Sequence, residues 1–329
     1  MNPGHGGSDP GATSHGLEEA DVNLSIARRV QRMLEAAGVT VVMTRSADRD
    51  VNRPATDVDA NGRIEHRDEL VARLDIANLA RADLTLNIHN NATACDCASG
   101  TQTFVDRHRP WGSRNARLGR EVQRALVRRL RQFEGRSWHV RDRGIGAGSY
   151  VSLSGGAKGG DRPSLMPAVL GESLFVDGPG DRRRLRSSTV RTAIAAAYYD
   201  GVVAWLRSRP LAAHYSRLDA PASVEAGASA AVAARVRATG RRALRGWRLE
   251  ARVVRAVAVL DGSGARGRLV GSVALGSLAP GQARDLQVPI TMPDETGRWL
   301  LKLDLVRDGT RLSRAGVVQP QLRISTARR

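Results

Sequence analysis

Apolar residues recur along this chain in two periods, and the change from one to the other marks its elements. From Ala20 to Ala37, residues Ile26, Val30, Met33, Leu34 and Ala37 fall on one stripe at helical spacing that stops before Gly38, which predicts an amphipathic helix with a glycine end. The same reasoning predicts helices over Asp68 to Ala80, over Asn115 to Phe133 with Leu118, Val122, Leu126 and Leu130 inward, and over Val190 to Leu206. Between them Val39 to Thr44, Asp83 to His89 and Thr101 to Val105 read as strands, with Leu84, Leu86 and Ile88 alternating against Thr85, Asn87 and His89. The apolar run Ala168-Val169-Leu170 reads as a buried strand ending near Glu172. Strands alternating with helices predict an α/β layer architecture, with a mostly parallel or mixed sheet flanked by helices. The polar stretch between Ala47 and His66, with Pro54, Asp57, Asp59, Asn61 and Gly62, reads as a loop over a site or a surface insertion.

Past Arg207 the period changes. Residues 208–222 have linker character, which assigns 1–207 to one domain and 223–329 to a second. In the second, Ser229 to Val236, Trp247 to Leu260, Arg268 to Val273, Ala283 to Thr291, Trp299 to Val306 and Gln319 to Ile324 are strand candidates separated by Gly and Pro turns. Their spacing predicts an all-β sandwich.

Charge narrows the partners. A formal net charge of +18 and a sequence pI near 11.4 imply attraction to polyanions such as anionic cell-wall polymers. Aromatic residues make up only 4% of the chain, too few for base-stacking platforms, so no specific nucleic-acid partner is expected. No window approaches a transmembrane helix, because Arg191, Asp200 and Gly201 interrupt the most apolar helix. Cys95 and Cys97 are the only cysteines. A C-x-C pair is not a zinc signature, so they are expected to be spectators, as thiols or as a strained local disulfide.

The candidate chemistry starts at His5, at the tip of a Pro3-Gly4-His5-Gly6-Gly7 turn where missing side chains leave room for a metal and a substrate. Glu19 opens the first helix and His89 closes a strand. No H-E-x-x-H motif occurs, so a site must be assembled from three separate segments. Two imidazoles and a carboxylate suit a catalytic zinc that keeps one position open for water. Glu18 is the neighbouring alternative to Glu19.

Several separated motifs also agree in order: Asn2 to Ala12, Glu19-Ala20-Asp21-Val22-Asn23-Leu24, Thr44-Arg45, Ala77-Asn78, Ile88-His89-Asn90-Asn91-Ala92, Gly100-Thr101-Gln102-Thr103-Phe104 and Pro167-Ala168-Val169-Leu170-Gly171-Glu172. Over about Asn2 to Leu206 the chain resembles the zinc-dependent N-acetylmuramoyl-L-alanine amidases of bacterial cell-wall turnover. That resemblance implies cleavage of the amide between the lactyl group of N-acetylmuramic acid and L-alanine of the peptidoglycan stem. It also implies His5, Glu19 and His89 as zinc ligands and Glu172 as the catalytic glutamate, with Asn90, Asn91 and Arg143 as candidates to shape the substrate groove. A peptidoglycan substrate places the working protein outside the cell, in the cell wall or periplasm. Alternatives are a non-catalytic wall-binding protein on this scaffold, or another zinc amidohydrolase or peptidase.

Relatives of this kind carry an apolar strand directly before the His5 loop, whereas this sequence starts at Met1-Asn2. The expectation is therefore a sheet without its first strand, a loosened His5, and a start assigned too late or a fragment, which also accounts for the absent signal peptide. In the C-terminal region Thr239-Gly240, Trp247, Ala279-Pro280-Gly281 and Leu303-Asp304-Leu305-Val306 resemble an immunoglobulin-like accessory module of bacterial surface proteins. The role expected of this second domain is that of a spacer or stabilising module.

Overall fold

The computed structural model describes residues 1–329 except 60, 94, 96, 155–163, 257–265 and 329. The chain forms two compact units, Met1–Leu206 and Arg207–Arg329.

In the first unit the elements run β1 (Asn2–Pro3), β2 (Thr13–Ser14), β3 (Leu17–Glu18), α1 (Glu19–Ala36), α2 (His66–Leu79), β4 (Thr85–Asn91), β5 (Thr101–Val105), α3 (Gly112–Arg131), β6 (Asp142–Ala147), α4 (Val151–Ser154), β7 (Ala168–Phe175), α5 (Pro179–Leu185) and α6 (Ser188–Ser208). A five-stranded sheet has the order β1-β4-β7-β5-β6. It is mixed: β1, β4 and β7 are parallel, β5 is antiparallel to β7, and β6 is parallel to β5. Apolar stripes of α1, α3 and α6 close over one face, where Val22, Ile26, Leu118, Val122, Ile194 and Tyr198 meet Leu86, Ile88 and Val169. The other face of β7 turns Ala168 and Leu170 toward Leu153 and Phe104. Burying both faces explains the near-continuous apolar run of β7.

The predicted helices and the strand at Thr101–Val105 are present. The first strand, expected to be absent, is present as two residues, with Asn2 and Pro3 in register with Asn87 and Ile88 and Gly4 N donating to Ile88 O at 3.0 Å. Val39 to Thr44 is not a strand. It runs beside Met1, with Thr44 N donating to Met1 O at 3.0 Å, but β1 is too short to offer it a ladder. Strands β4 and β7 extend past His89 and Glu172, so both residues lie inside strands rather than at their ends. The β4–β7 register shifts between His89 and Asn91. Strand β6 and helix α5 lie outside the sequence expectation.

The second unit contains β8 (Ala213–Asp219), β9 (Ser223–Glu225), β10 (Ser229–Ala238), β11 (Leu244–Arg255), β12 (Arg268–Leu278), β13 (Ala283–Thr291), β14 (Gly297–Arg307), β15 (Thr310–Arg311) and β16 (Gln321–Ala327). Three strands in the order β13-β10-β8 and a second sheet, β12-β11-β14-β16-β9 with β15 on β14, share one core. Inward positions alternate along each strand, as at Leu249, Ala251 and Val253 of β11 and Leu301, Leu303 and Leu305 of β14. Strand β8 occupies the stretch read as linker: Ala213 and Tyr215 are buried against β10, a partner some 20 residues away that no local pattern announces. The end of the Trp247 to Leu260 strand reading, 257–260, lies outside the described residues.

Candidate active site

Three elements of the first unit bring the site together. His5 sits in the loop after β1 with φ +58°, a left-handed conformation uncommon for a side-chain-bearing residue. Two buried arginines hold that backbone. Arg45 donates to the carbonyls of Pro3 (3.2 Å), Gly4 (2.9 Å) and Ala20 (2.8 Å), and Arg73 to those of Pro3 (2.8 Å) and His5 (2.8 Å). Side chains thus supply the donors that a longer ladder would otherwise provide.

Glu19 is the first residue of α1 and is buried, whereas the neighbouring Glu18 is exposed, which settles the choice between them as to position. Its Oε2 lies 3.2 Å from His5 Nε2 and its Oε1 lies 3.1 Å from His89 Nδ1. The two rings stand edge to face with centroids 5.0 Å apart. Main-chain N–H groups of Ala12 and Asn90 and the Asn23 amide, each 3.1 Å away, fix the carboxylate. Glycines keep the space open: a Cβ on Gly4 would lie 2.1 Å from the His89 ring, and one on Gly11 2.7 Å from His5 and 2.8 Å from Glu19 Oε2.

Electrostatically, Glu19 and Asp9 draw positive charge onto His5. Burial opposes charge on both His5 and Glu19, but their mutual hydrogen bonds and attraction win. His5 rises to about 9, helped by Asp9 at 2.7 Å, and Glu19 is held well below the usual carboxylate range by His5 and His89.

Ligand atoms of His5, Glu19 and His89 all lie within 4.8 Å of one another. Donors bound at about 2.0–2.1 Å to a tetrahedral ion stand about 3.3 Å apart, close to the separations above. Asp9 Oδ2 lies 2.7 Å from His5 Nδ1 and can take that ring proton, which leaves Nε2 for a metal ion once the ion displaces the proton now shared with Glu19. The geometry and the donor chemistry therefore fit a metal ion.

Glu172 is in register with His89 on the adjacent strand, so the two side chains share the face opposite Leu86, Ile88 and Val169. Its Oε2 is enclosed and has no hydrogen-bond partner among the described residues. Burial, then the nearby Glu19 charge, push its carboxyl up to about 8, with His5 pulling the other way. An unpartnered buried carboxylate is costly and marks a place for chemistry.

Asn90 and Asn91 follow His89 on β4, and Arg143 lies on β6. Asn90 is buried and its side-chain amide donates to Asn23 Oδ1 at 2.8 Å, beside the main-chain N–H that supports Glu19. The Asn91 side chain accepts from Ala92 N at 2.8 Å, and Arg143 donates to Ser99 O at 2.8 Å with its guanidinium 4.7 Å from the Phe175 ring centroid. Cys95 and Cys97 are joined to each other as a disulfide, which removes both as thiolate donors. Sequence reasoning gave no role to Arg73, Asn23 or Asp9. The only available signal for Asp9 was its four-residue distance from His5.

Residues 1–204 match the family described as N-acetylmuramoyl-L-alanine amidase. The chain is 30% identical over 207 residues to the N-acetylmuramoyl-L-alanine amidase LytC of Bacillus subtilis (strain 168), covering 63% of this chain but only 35% of LytC. It is 30% identical over 204 residues to the N-acetylmuramoyl-L-alanine amidase CwlM of Bacillus licheniformis, covering 61% and 66% of the two chains. Among solved structures, the N-acetylmuramoyl-L-alanine amidase from Clostridium difficile 630 superposes with a TM-score of 0.50 at 26% identity, over 63% of this chain and 95% of that one.

Proposed function

Because the chain belongs to the N-acetylmuramoyl-L-alanine amidase family, we propose that its first unit hydrolyses the amide between the lactyl group of N-acetylmuramic acid and L-alanine of the peptidoglycan stem. The observation that carries this reading is the enclosed Glu172 oxygen, without a partner among the described residues, on the strand beside His89 and within the electrostatic reach of Glu19.

His5, Glu19 and His89 are the residues that would hold zinc. When bound there, zinc supplies a Lewis acid for the scissile carbonyl and lowers the pKa of water toward neutrality. Asp9 keeps His5 in the tautomer that binds through Nε2, and the main-chain donors on Glu19 keep its carboxylate aimed. The Glu172 carboxylate takes the proton of the attacking water. It then returns that proton to the departing alanine nitrogen, which is a poor leaving group until protonated. A cation held by the trio favours the ionised form of Glu172, so the acid limb of activity falls below pH 8. Activity is lost as pH drops through that limb, because the protonated carboxyl cannot accept a proton.

The C-terminal sandwich we read as an immunoglobulin-like spacer, and the excess positive charge as a means of staying near anionic wall polymers. The protein then works at the cell wall, outside the membrane or in the periplasm; among the described residues no helix is long and apolar enough to cross a membrane.

Digestion of purified peptidoglycan, with product masses read after zinc loading, after chelation and after zinc return, tests the reading. Stem peptides with a free L-alanine amine, lost on chelation and regained with zinc, are expected. Cleavage at another amide would assign a different amidohydrolase, and binding without cleavage would assign a wall-binding role.

A further inference from the structure

The stretch between Ala47 and His66 carries more than a loop composition. From Asp57 to Asp68 the chain reads Asp-Val-Asp-Ala-Asn-Gly-Arg-Ile-Glu-His-Arg-Asp. Oxygen-bearing side chains fall at positions one, three, five and twelve of a twelve-residue loop, with glycine at six. That is the order in which a helix-flanking calcium loop presents its ligands, with position seven contributing its main-chain carbonyl.

The order belongs to the sequence, and the fold independently converges on the same residues. Asp57, Asp59 and Asp68 each offer an oxygen within 4.8 Å of the others. Gly62 adopts φ +84°, the turn that position six requires. Helix α2 begins at position ten, with Glu65 and Asp68 forming a reciprocal capping box, so the twelfth residue faces back into the loop. Asp57 accepts from Asn61 N and Gly62 N at 3.0 and 2.7 Å, and Asp68 from Val58 N and Asp59 N at 2.7 and 3.2 Å. Each carboxylate has about four lone-pair sites, so these bonds orient the oxygens without exhausting them.

We propose that residues 57–68 bind one calcium ion through Asp57, Asp59, Asn61, the Arg63 carbonyl and Asp68. Donors that are all oxygen select a hard cation, in contrast to the imidazole-rich trio around Glu19. Aspartate at position twelve is one methylene shorter than the usual glutamate, and Arg67 contacts Asp59 at 2.7 Å. Both features weaken the site and set its dissociation constant in the range of extracellular modules, about 10⁻⁴–10⁻³ M. The ion would also have a reach beyond its loop. The helix it caps carries Glu69, which accepts from Val51 N and Asn52 N, and Arg73, which donates to the His5 carbonyl. Filling the loop therefore stiffens the helix that grips the His5 backbone.

Calorimetric titration of calcium chloride into the full chain, with zinc already saturating so that the trio is filled, tests this directly. One saturable site is expected, with magnesium at least tenfold weaker, a calcium-dependent rise in melting temperature, and loss of both signals in Asp57→Asn and, separately, Asp59→Asn. Each variant should keep its circular dichroism and zinc content. No saturable signal from the folded wild-type chain up to about 10 mM calcium would overturn the proposal, as would undiminished binding in two folded variants or magnesium binding as tightly as calcium.

Discussion

Both units bury a carboxylate, and they treat it in opposite ways. In the C-terminal unit Asp304 of β14 is enclosed but accepts two bonds from Ser313, one from its main-chain N–H at 3.1 Å and one from its hydroxyl. Burial still raises it to about 6, against the pull of those bonds. In the N-terminal unit Glu172 has an enclosed oxygen with no donor among the described residues and rises to about 8, with the Glu19 carboxylate nearby. Asp304 has its donors built in, whereas Glu172 keeps an oxygen for what arrives, in keeping with the proton-transfer role proposed for it.

Removing the charge at each place separates the two roles. Glu172→Gln should lower amidase activity by at least 10²–10⁴-fold without unfolding the chain. In the metal-free protein at pH 8 it should raise the melting temperature, because the raised carboxyl loses stability for the fold as pH climbs from its ordinary value through about 8. Calorimetry beside a product assay checks both halves. A variant that lost activity and stability together would erase the contrast.

Arg73→Ala removes donors from the buried Pro3 carbonyl and the half-buried His5 carbonyl, and should cost about 3 kcal/mol of stability. Its second effect should be on metal retention, a roughly 10–100-fold loss in zinc affinity as the positive-φ His5 loosens. Zinc competition against a chromophoric chelator measures it, and Arg73→Lys should recover part. Unchanged affinity in the folded variant would remove the arginine clamp from the account.

Asp304 predicts a smaller, pH-shaped effect. Its folded pKa lies above its unfolded value, so the folded state holds more protons between about pH 4 and about 6, and stability should fall by about 2–3 kcal/mol across that window as pH rises. Asp304→Asn keeps an acceptor for Ser313 N and a donor for its hydroxyl. It should flatten the profile and match or exceed wild type at pH 7 in denaturant titrations.

The same contrast explains what the sequence makes legible. The stripe Ile26, Val30 and Leu34 and the alternation through Leu86 and Ile88 are local patterns, and the fold keeps them; His5, Glu19 and His89 stand in three separate segments that the fold brings together. Arg45 and Arg73 are almost fully buried, yet an arginine in a polar stretch resembles a surface residue until its carbonyl partners, tens of residues away, are placed. Strand β6, Asp-Arg-Gly-Ile-Gly-Ala, has no alternation to detect and is set by pairing with β5. Strand β8 was hidden by linker-like composition, and the spacing of Asp57, Asp59, Asn61 and Asp68 was hidden by the same loop-like polarity. Val39 to Thr44 shows the converse, a strand pattern left without a ladder.

The most direct test of the central claim compares wild type and Glu172→Gln on purified peptidoglycan, with zinc per chain measured on the same samples. The account predicts equal zinc, equal fold and near-complete loss of released L-alanine-headed peptides in the variant. Full activity in a zinc-loaded Glu172→Gln chain would contradict it and assign the orphaned carboxylate to something other than proton transfer.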